Sequence, residues 1–332
     1  MEPLLQVEDL RIEFRTVRGT LQALGGVSFD VMPGEVFGLV GETGCGKTVT
    51  GLSVLRLVPQ PGRITSGRVL FRGEDLMRKP ESEMQQVRGG QISMIFQDPS
   101  SSLNPVFTVG SQIVRVIRQH QRGSERQAKQ RAVEAFESVG LPDIYRLMSS
   151  YSHELSGGMQ QRVMIAMALS CKPALLIADE PTTALDVTIK AQILELLKGL
   201  QVRLNLAILL ITHDLGVVAE TCDRLAVLYA GHVVETGRTA DLFAAPLHPY
   251  TCGLMHAIPR RSSRGQPLTA IRGTVPSNPG TLVGCPFESR CDYAFDRCRV
   301  ERPPLIQPEG REQMEADHLS ACWLHQSEAS RG

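Results

Sequence analysis

The sequence predicts an α/β protein with a mainly parallel sheet core covered by helices, on two observations. From residue 174 onward apolar strands alternate with amphipathic helices: "ALLIA", then Ile189, Ile193, Leu196, Leu197 and Leu200 on one helical face, then "LAILLIT", then "LAVLY". Such alternation is what strands joined by crossover helices require. Upstream, "VFGLVGETGCGKTVTGLSVLRLV" runs strand, glycine loop, helix, a further unit of the same build.

The elements before and after that core differ from it. The first 40 residues alternate with period two, through Leu10, Ile12 and Phe14 and again through Val27, Phe29 and Val31, which predicts an antiparallel β subdomain. "ISMIF" (92–96) reads as another strand, and residues 105–165 turn helical, with Ala128, Ala132, Val133, Phe136 and Val139 on one face and Gly140 and Pro142 as the stop. After about residue 245 the chain becomes rich in Pro, Arg and Gly and carries clustered cysteines. The expected division is therefore a domain over 1–245, with a helical subdomain at about 105–165, and a small cysteine-containing extension over 246–332.

Composition narrows the function classes. The chain has 332 residues, 42% of them apolar, enough for one large or two medium cores. Lys+Arg and Asp+Glu both number 35, and a chain without basic excess is not expected to bind nucleic acid. The longest apolar runs, 206–212 and 225–234, are about half of what a membrane span needs. "MEPLLQVEDL" lacks the charged and apolar regions of a signal peptide. The expectation is a soluble, intracellular protein that meets a membrane only through a partner.

Three stretches carry chemistry. "GETGCGKT", Gly41 to Thr48, has the form G-x-x-x-x-G-K-[ST] between a strand and a helix. Gly41, Glu42, Thr43, Gly44, Cys45, Gly46, Lys47 and Thr48 thus form a candidate phosphate loop. Its glycines let the backbone N–H groups of Gly44, Cys45, Gly46 and Lys47 point at phosphate oxygens, Lys47 reaches the β/γ-phosphates, and the Thr48 hydroxyl ligates Mg²⁺. In "LLIADEP" (175–181) an apolar strand ends in two adjacent carboxylates: Asp179 suits the Mg²⁺ shell and Glu180 suits polarising an attacking water. Third comes "LSGGMQQR", Leu155 to Arg162.

That third stretch resembles the signature sequence of the ATP-binding cassette (ABC) superfamily. Over residues 5 to about 245 the other family marks follow in order: Gln97 in "FQDP" resembles the Q-loop, "ALD" (184–186) the D-loop, and His213 in "ITHD" the switch histidine. The resemblance implies an ABC-type P-loop nucleotide-binding domain that hydrolyses ATP with Mg²⁺, held by Thr48, Gln97 and Asp179, and with Glu180, His213 and Gln97 as the catalytic set. It implies a head-to-tail dimer in which Leu155, Ser156, Gly157, Gly158 and Gln160 meet the γ-phosphate bound by the opposite subunit, with Asp186 coupling the two sites. Phe14, the one aromatic in "FRTVRG", is the candidate adenine-stacking residue. Cys45 stands where Ser is common; its ordinary role is a small spacer, and bulky thiol reagents are expected to block nucleotide binding there.

"FQDPSSSLNP" (96–105), "HPYTCGLMHAIP" (248–259) and "CPFESRC" (285–291) together resemble the ATPase subunits of oligopeptide/dipeptide importers, close to nickel importers. That implies two membrane permease subunits docked beside the Q-loop around residues 98–110, and a second ABC ATPase subunit, a heterodimer being favoured and a homodimer open. It also implies an extracytoplasmic substrate-binding protein as an indirect partner, and a peripheral place on the cytoplasmic face of the inner membrane. Import of nickel or another small solute is the alternative. A non-transport ABC ATPase is disfavoured because the chain has neither a long coiled-coil insertion nor a second cassette. A scaffold that binds without turnover is disfavoured by the intact Glu180.

Of the eight cysteines, Cys171, Cys222 and Cys252 read as small buried hydrophobes. Cys285, Cys291, Cys298 and Cys322 cluster with spacing C-x5-C-x6-C-x23-C, without the tight pairs usual for structural zinc. The spacing leaves an iron–sulfur cluster, zinc (with His318 or His325 as substitute ligands) and unligated thiols open. The importer subfamily, whose extension carries a similar set, points to a [4Fe–4S] cluster stapling a segment with little apolar sequence of its own.

Overall fold

The structure, a computed structural model, describes residues 2–17, 19–98, 102–182, 186–257, 271–276, 278, 280, 282–308 and 317–325. The chain forms two compact units, one of Met1–Val31, Val36–Met77 and Ile211–Gly332, the other of Met32–Glu35 and Arg78–Leu210.

In the first unit β1 (Leu5–Thr16) and β2 (Gly19–Val31) pair antiparallel, with Leu5 opposite Val31, Val7 opposite Phe29 and Leu10 opposite Val27. The period-two residues Leu10, Ile12, Val27 and Val31 face the core and are fully buried, as the alternation predicts. β3 (Val36–Val40) is buried at every residue and leads through the glycine loop to α1 (Lys47–Val54). β4 (Gly62–Phe71) takes the other edge of β1, and β5 (Glu74–Asp75) follows it, completing the order β2-β1-β4-β5.

The second unit holds α2 (Glu81–Val87) and β6 (Ile92–Ile95). Among the described residues that follow are the helices α3 (Val109–His120), α4 (Glu125–Ser138), α5 (Ile144–Ser149) and α6 (Gly157–Leu169). β7 (Leu175–Asp179) pairs in parallel with β6, and α7 (Val187–Leu204) precedes β8 (Ala207–Thr212), which carries the chain back toward the first unit. Helix α4 starts at a capping box in which Ser124 and Gln127 satisfy each other's backbone N–H. Its predicted face is buried at Ala128, Ala132 and Phe136, and Gly140, at φ 68, ends the run. On α7 the buried positions are Ile193, Leu194, Leu197 and Leu200; Leu194 is an addition to the predicted stripe, and Ile189 and Leu196, which the stripe included, are only half-buried.

The rest of the first unit comprises α8 (Leu215–Thr221), β9 (Arg224–Tyr229), β10 (His232–Arg238), α9 (Thr239–Ala244), α10 (Pro249–His256), α11 (Asp296–Val300) and β11 (Leu319–Ser320). β9 runs parallel to β3, and β10 and β11 add antiparallel strands outward. The extension therefore completes a sheet it does not start. It is also tied to β10 by a buried carboxylate: Glu235, 0% exposed, accepts the N–H groups of Leu247 and His248 (both 2.8 Å) and stands 2.8 Å from His318 Nε2. Three partners satisfy a group whose burial is otherwise costly. Among the described residues no helix is long and apolar enough to cross a membrane.

Candidate functional site

In the first unit the glycine loop has the shape of an anion cradle. Gly46, at φ 108, caps α1 with no side-chain acceptor on the helix N–H groups, so those donors and the helix dipole face outward. A Cβ on Gly41 would lie 2.1 Å from the Leu228 carbonyl oxygen and 2.8 Å from Cys45 Sγ, which is why this position admits no side chain. Lys47, 5% exposed, folds back so that its ammonium donates to the carbonyls of Gly41 (2.7 Å) and Glu42 (3.0 Å). Thr48 and Thr43 are exposed at the loop's rim.

The N–H of Cys45 donates to the Glu42 carbonyl (3.3 Å). Cys45 is also fully buried, and burial raises its thiol above the ordinary range. Phe14 is half-buried with its ring edge over Gly62, where a Cβ would come within 2.7 Å. His213 is exposed just past β8 on a bend held by its neighbours, the Asp214 N–H donating to Thr212 Oγ1 (3.0 Å) and Asp214 Oδ1 accepting from Gly216 (3.0 Å).

In the second unit Asp179 ends β7 at 2% exposure, and Glu180 follows at φ 46. The left-handed turn swings Glu180 out of the strand, and its carboxylate accepts from Gln97 Nε2 at 3.1 Å. In the signature segment Ser156 caps α6, its hydroxyl accepting the Met159 N–H (3.4 Å). Ser156 and Gly157 are exposed, whereas Leu155 is half-buried, and a Cβ on Gly158 would press Ile189 at 3.1 Å. Gln160 has a bracing role, donating to the carbonyls of Ser152 (2.9 Å) and Leu155 (3.2 Å). Asp186 is exposed at the start of α7; Ala184 and Leu185 of the D-loop, and residues 99–101 of the docking segment, lie outside the described residues.

Back in the first unit, Cys285, Cys291, Cys298 and Cys322 line one cavity of about 20 Å³, walled by Phe287, Trp323 and other apolar groups. Burial pushes Cys285 up to about 11 and Cys322 up to about 12, with the neighbouring thiols adding to both shifts. Among the described residues no three His, Cys, Asp or Glu side chains are grouped so as to hold a metal ion. The two candidate zinc substitutes point elsewhere: His318 Nε2 is on Glu235, and His325 Nε2 is on the Leu247 carbonyl at 2.6 Å. Burial holds His248, which also borders the cavity, down at about 4.

Sequence reasoning missed one group altogether. Arg290, between two of the cysteines, pairs with Glu42 of the phosphate loop (2.8 Å), and the Glu42 N–H donates to Tyr250 Oη (2.9 Å). Arg290 and Tyr250 lie in "CPFESRC" and "HPYTCGLMHAIP", read as family marks with no role assigned to either side chain.

A strand-terminal glycine loop closed by its own lysine, ahead of a helix, defines a P-loop nucleotide-binding protein. Comparison with known proteins refines the class. Residues 24–183 match the ABC transporter family, and residues 234–298 match the oligopeptide/dipeptide transporter, C-terminal region. The dipeptide transport ATP-binding protein DppD of Bacillus subtilis is 46% identical over 331 residues, covering 99% of this chain and 97% of that one. DppD of Escherichia coli is 48% identical over 302 residues, covering 91% and 92%. Among solved structures, the dimeric bacterial ABC transporter cassette MJ0796 aligns with TM-score 0.64 at 26% identity, over 71% of this chain and 98% of that one. The same cassette is known in a post-hydrolysis state bound to ADP and Pi. This chain belongs to the ABC transporter family, as an ATP-hydrolysing subunit.

Proposed function

We propose that this chain is the motor subunit of an importer of di- and oligopeptides, turning ATP hydrolysis at a cassette dimer into movement of two membrane permeases. The near full-length likeness to dipeptide and oligopeptide transport ATP-binding proteins carries this reading. The cassette spans 1–245, with its helical subdomain at about 105–165, and the importer-type extension spans 246–332.

In this reading Lys47 and the outward N–H groups of the loop neutralise the β- and γ-phosphates. Glu180 takes the proton of the attacking water as its oxygen bonds to the γ-phosphorus and the bond to the ADP oxygen breaks. Gln97 fixes the direction of that carboxylate, in line with their hydrogen bond. His213, exposed on its bend, contacts the γ-phosphate, and Phe14 stacks on adenine. Thr48, Asp179 and Gln97 present the oxygen donors a hard cation prefers and would hold Mg²⁺, whose charge offsets that of the phosphates. Ser156, Gly157, Gly158 and the α6 N-terminus meet the γ-phosphate held by the opposite cassette, and Asp186 couples the two sites.

The partner cassette is a paralogous subunit, and the assembly sits on the cytoplasmic face of the inner membrane. The permeases dock around 98–110, where Val106 and Phe107 are exposed at 74% and 45% with no core to fill. An external binding protein delivers the peptide.

The four C-terminal cysteines are the residues that would hold a [4Fe–4S] cluster. Their four thiols line one apolar-walled cavity and are the side chains that would supply its sulfur ligands, although they are not grouped as a metal site in the present arrangement.

The test is reconstitution of the chain with its permeases and binding protein in proteoliposomes. Hydrolysis stimulated by di- and tripeptides is expected; stimulation by nickel with indifference to peptides would replace the substrate assignment.

A further inference from the structure

Arg290 grips Glu42, the second residue of the phosphate loop, with both arms of its guanidinium: Nη1 donates to Oε2 at 2.8 Å and Nη2 to Oε1 at 3.0 Å. This fork-to-fork geometry is the strongest form of a carboxylate–arginine pair. The Arg290 side chain is 5% exposed and that of Glu42 28%, so the pair is only partly screened by solvent. Its Nε donates to the Arg272 carbonyl (2.7 Å), and its guanidinium lies over the rings of Tyr229 (5.6 Å) and Phe287 (5.9 Å). The arginine is thus held before it meets Glu42. The backbone of Glu42 is held as well, by the Tyr250 hydroxyl. All of these groups lie in one compact unit.

The pair has a chemical reason to exist beyond packing. A loop that cradles a polyphosphate concentrates donors and positive charge, and an uncompensated carboxylate in it repels the ligand. We propose that Arg290 is a positioning residue for nucleotide binding, which neutralises Glu42 and holds its carboxylate out of the path of the phosphates. This rests on the ATPase reading and deepens it, because it gives the C-terminal extension a direct hand in the phosphate site.

Equilibrium binding of a fluorescent ATP analogue tests the proposal on wild type, Arg290→Ala, Glu42→Gln and the double variant, with thermal unfolding recorded for each and Lys47→Ala as the non-binding control. Arg290→Ala leaves a bare carboxylate and is expected to bind about tenfold more weakly. Removing that carboxylate as well is expected to bring the double variant within about threefold of Glu42→Gln, an effect that lost packing alone does not produce. Wild-type affinity in Arg290→Ala overturns the proposal. So does a double variant as weak as Arg290→Ala, which would make the arginine a fold brace. Should Arg290→Ala not fold, Arg290→Lys decides: it keeps the charge without the fork, and about threefold weaker binding is expected, while unchanged binding overturns the proposal. A wild type that binds no better than Lys47→Ala would defeat the ATPase reading and this proposal together.

Discussion

The amide of Gln97 donates to the carboxylate of Glu180 at 3.1 Å, and Glu180 itself sits at φ 46. A non-glycine residue in that region costs about 1–3 kcal/mol and concentrates at functional sites. The strain has a geometric return. Asp179 stays in line with its strand at 2% exposure, while the next side chain is turned toward the glutamine. Gln97→Ala is therefore expected to lower kcat by about ten- to a hundredfold while leaving the ATP Kd within about threefold. Paired steady-state kinetics and nucleotide-binding titrations check this; a loss in Kd alone would remove Gln97 from the catalytic step.

Gly41→Ala addresses the loop from the backbone side. Its methyl would stand 2.1 Å from the Leu228 carbonyl oxygen, a backbone atom of β9. The loop must shift to admit it, at a cost of about 1–3 kcal/mol. Lower thermal stability together with loss of nucleotide binding is the expected outcome, and unchanged binding would mean that the loop's shape is not what holds phosphate.

Acid should destabilise the first unit through His232. Burial, then the charges of Arg302 and Arg11, hold this histidine down at about 3 from its ordinary 6.5, with Asp9 opposing. Its Nε2 lies 2.9 Å from Arg302 Nη1, a contact that needs the neutral ring. The unfolded chain therefore binds the extra proton between pH 6.5 and about 3. Stability is fully present above that window and falls as pH drops through it, by about 1.4 kcal/mol per unit for one proton. Denaturant unfolding from pH 7 to 4 should show a shallower slope in His232→Gln; an identical slope would assign the acid sensitivity elsewhere.

Cys285→Ser tests the thiol cavity. Anaerobic purification is expected to give about four irons and four acid-labile sulfides per wild-type chain, with both lost and the melting temperature lowered in the variant. Zinc in their place, or no metal in either protein, would leave the cavity a packing feature and the ATPase untouched.

Legibility followed the range of the interaction. Period two in residues 10–31 and the helical face around Ala128 were readable because each reports a local repeat, and both were found buried as read except at Phe14 and Val133, which are half-buried. The phosphate loop, the strand-end carboxylates and the signature were readable because their chemistry demands fixed residues at fixed spacing. Arg290 and Glu42 are 248 positions apart, and no local pattern encodes such a pair. The turn at Glu180 was also hidden, since left-handed backbone is signalled by Gly or Asn and not by Glu. Full burial of Cys45 is likewise a matter of tertiary packing, which composition does not reveal.

The central claim is that this chain hydrolyses ATP with Glu180 as the group that activates water. The most direct measurement is phosphate release by the assembled transporter with wild-type chain and with Glu180→Gln, each scored beside its nucleotide affinity. A fall of at least about a hundredfold in turnover with ATP still bound is expected. Equal rates in the two proteins would contradict the account, because the loop and its lysine would then be binding nucleotide for some purpose other than hydrolysis at this site.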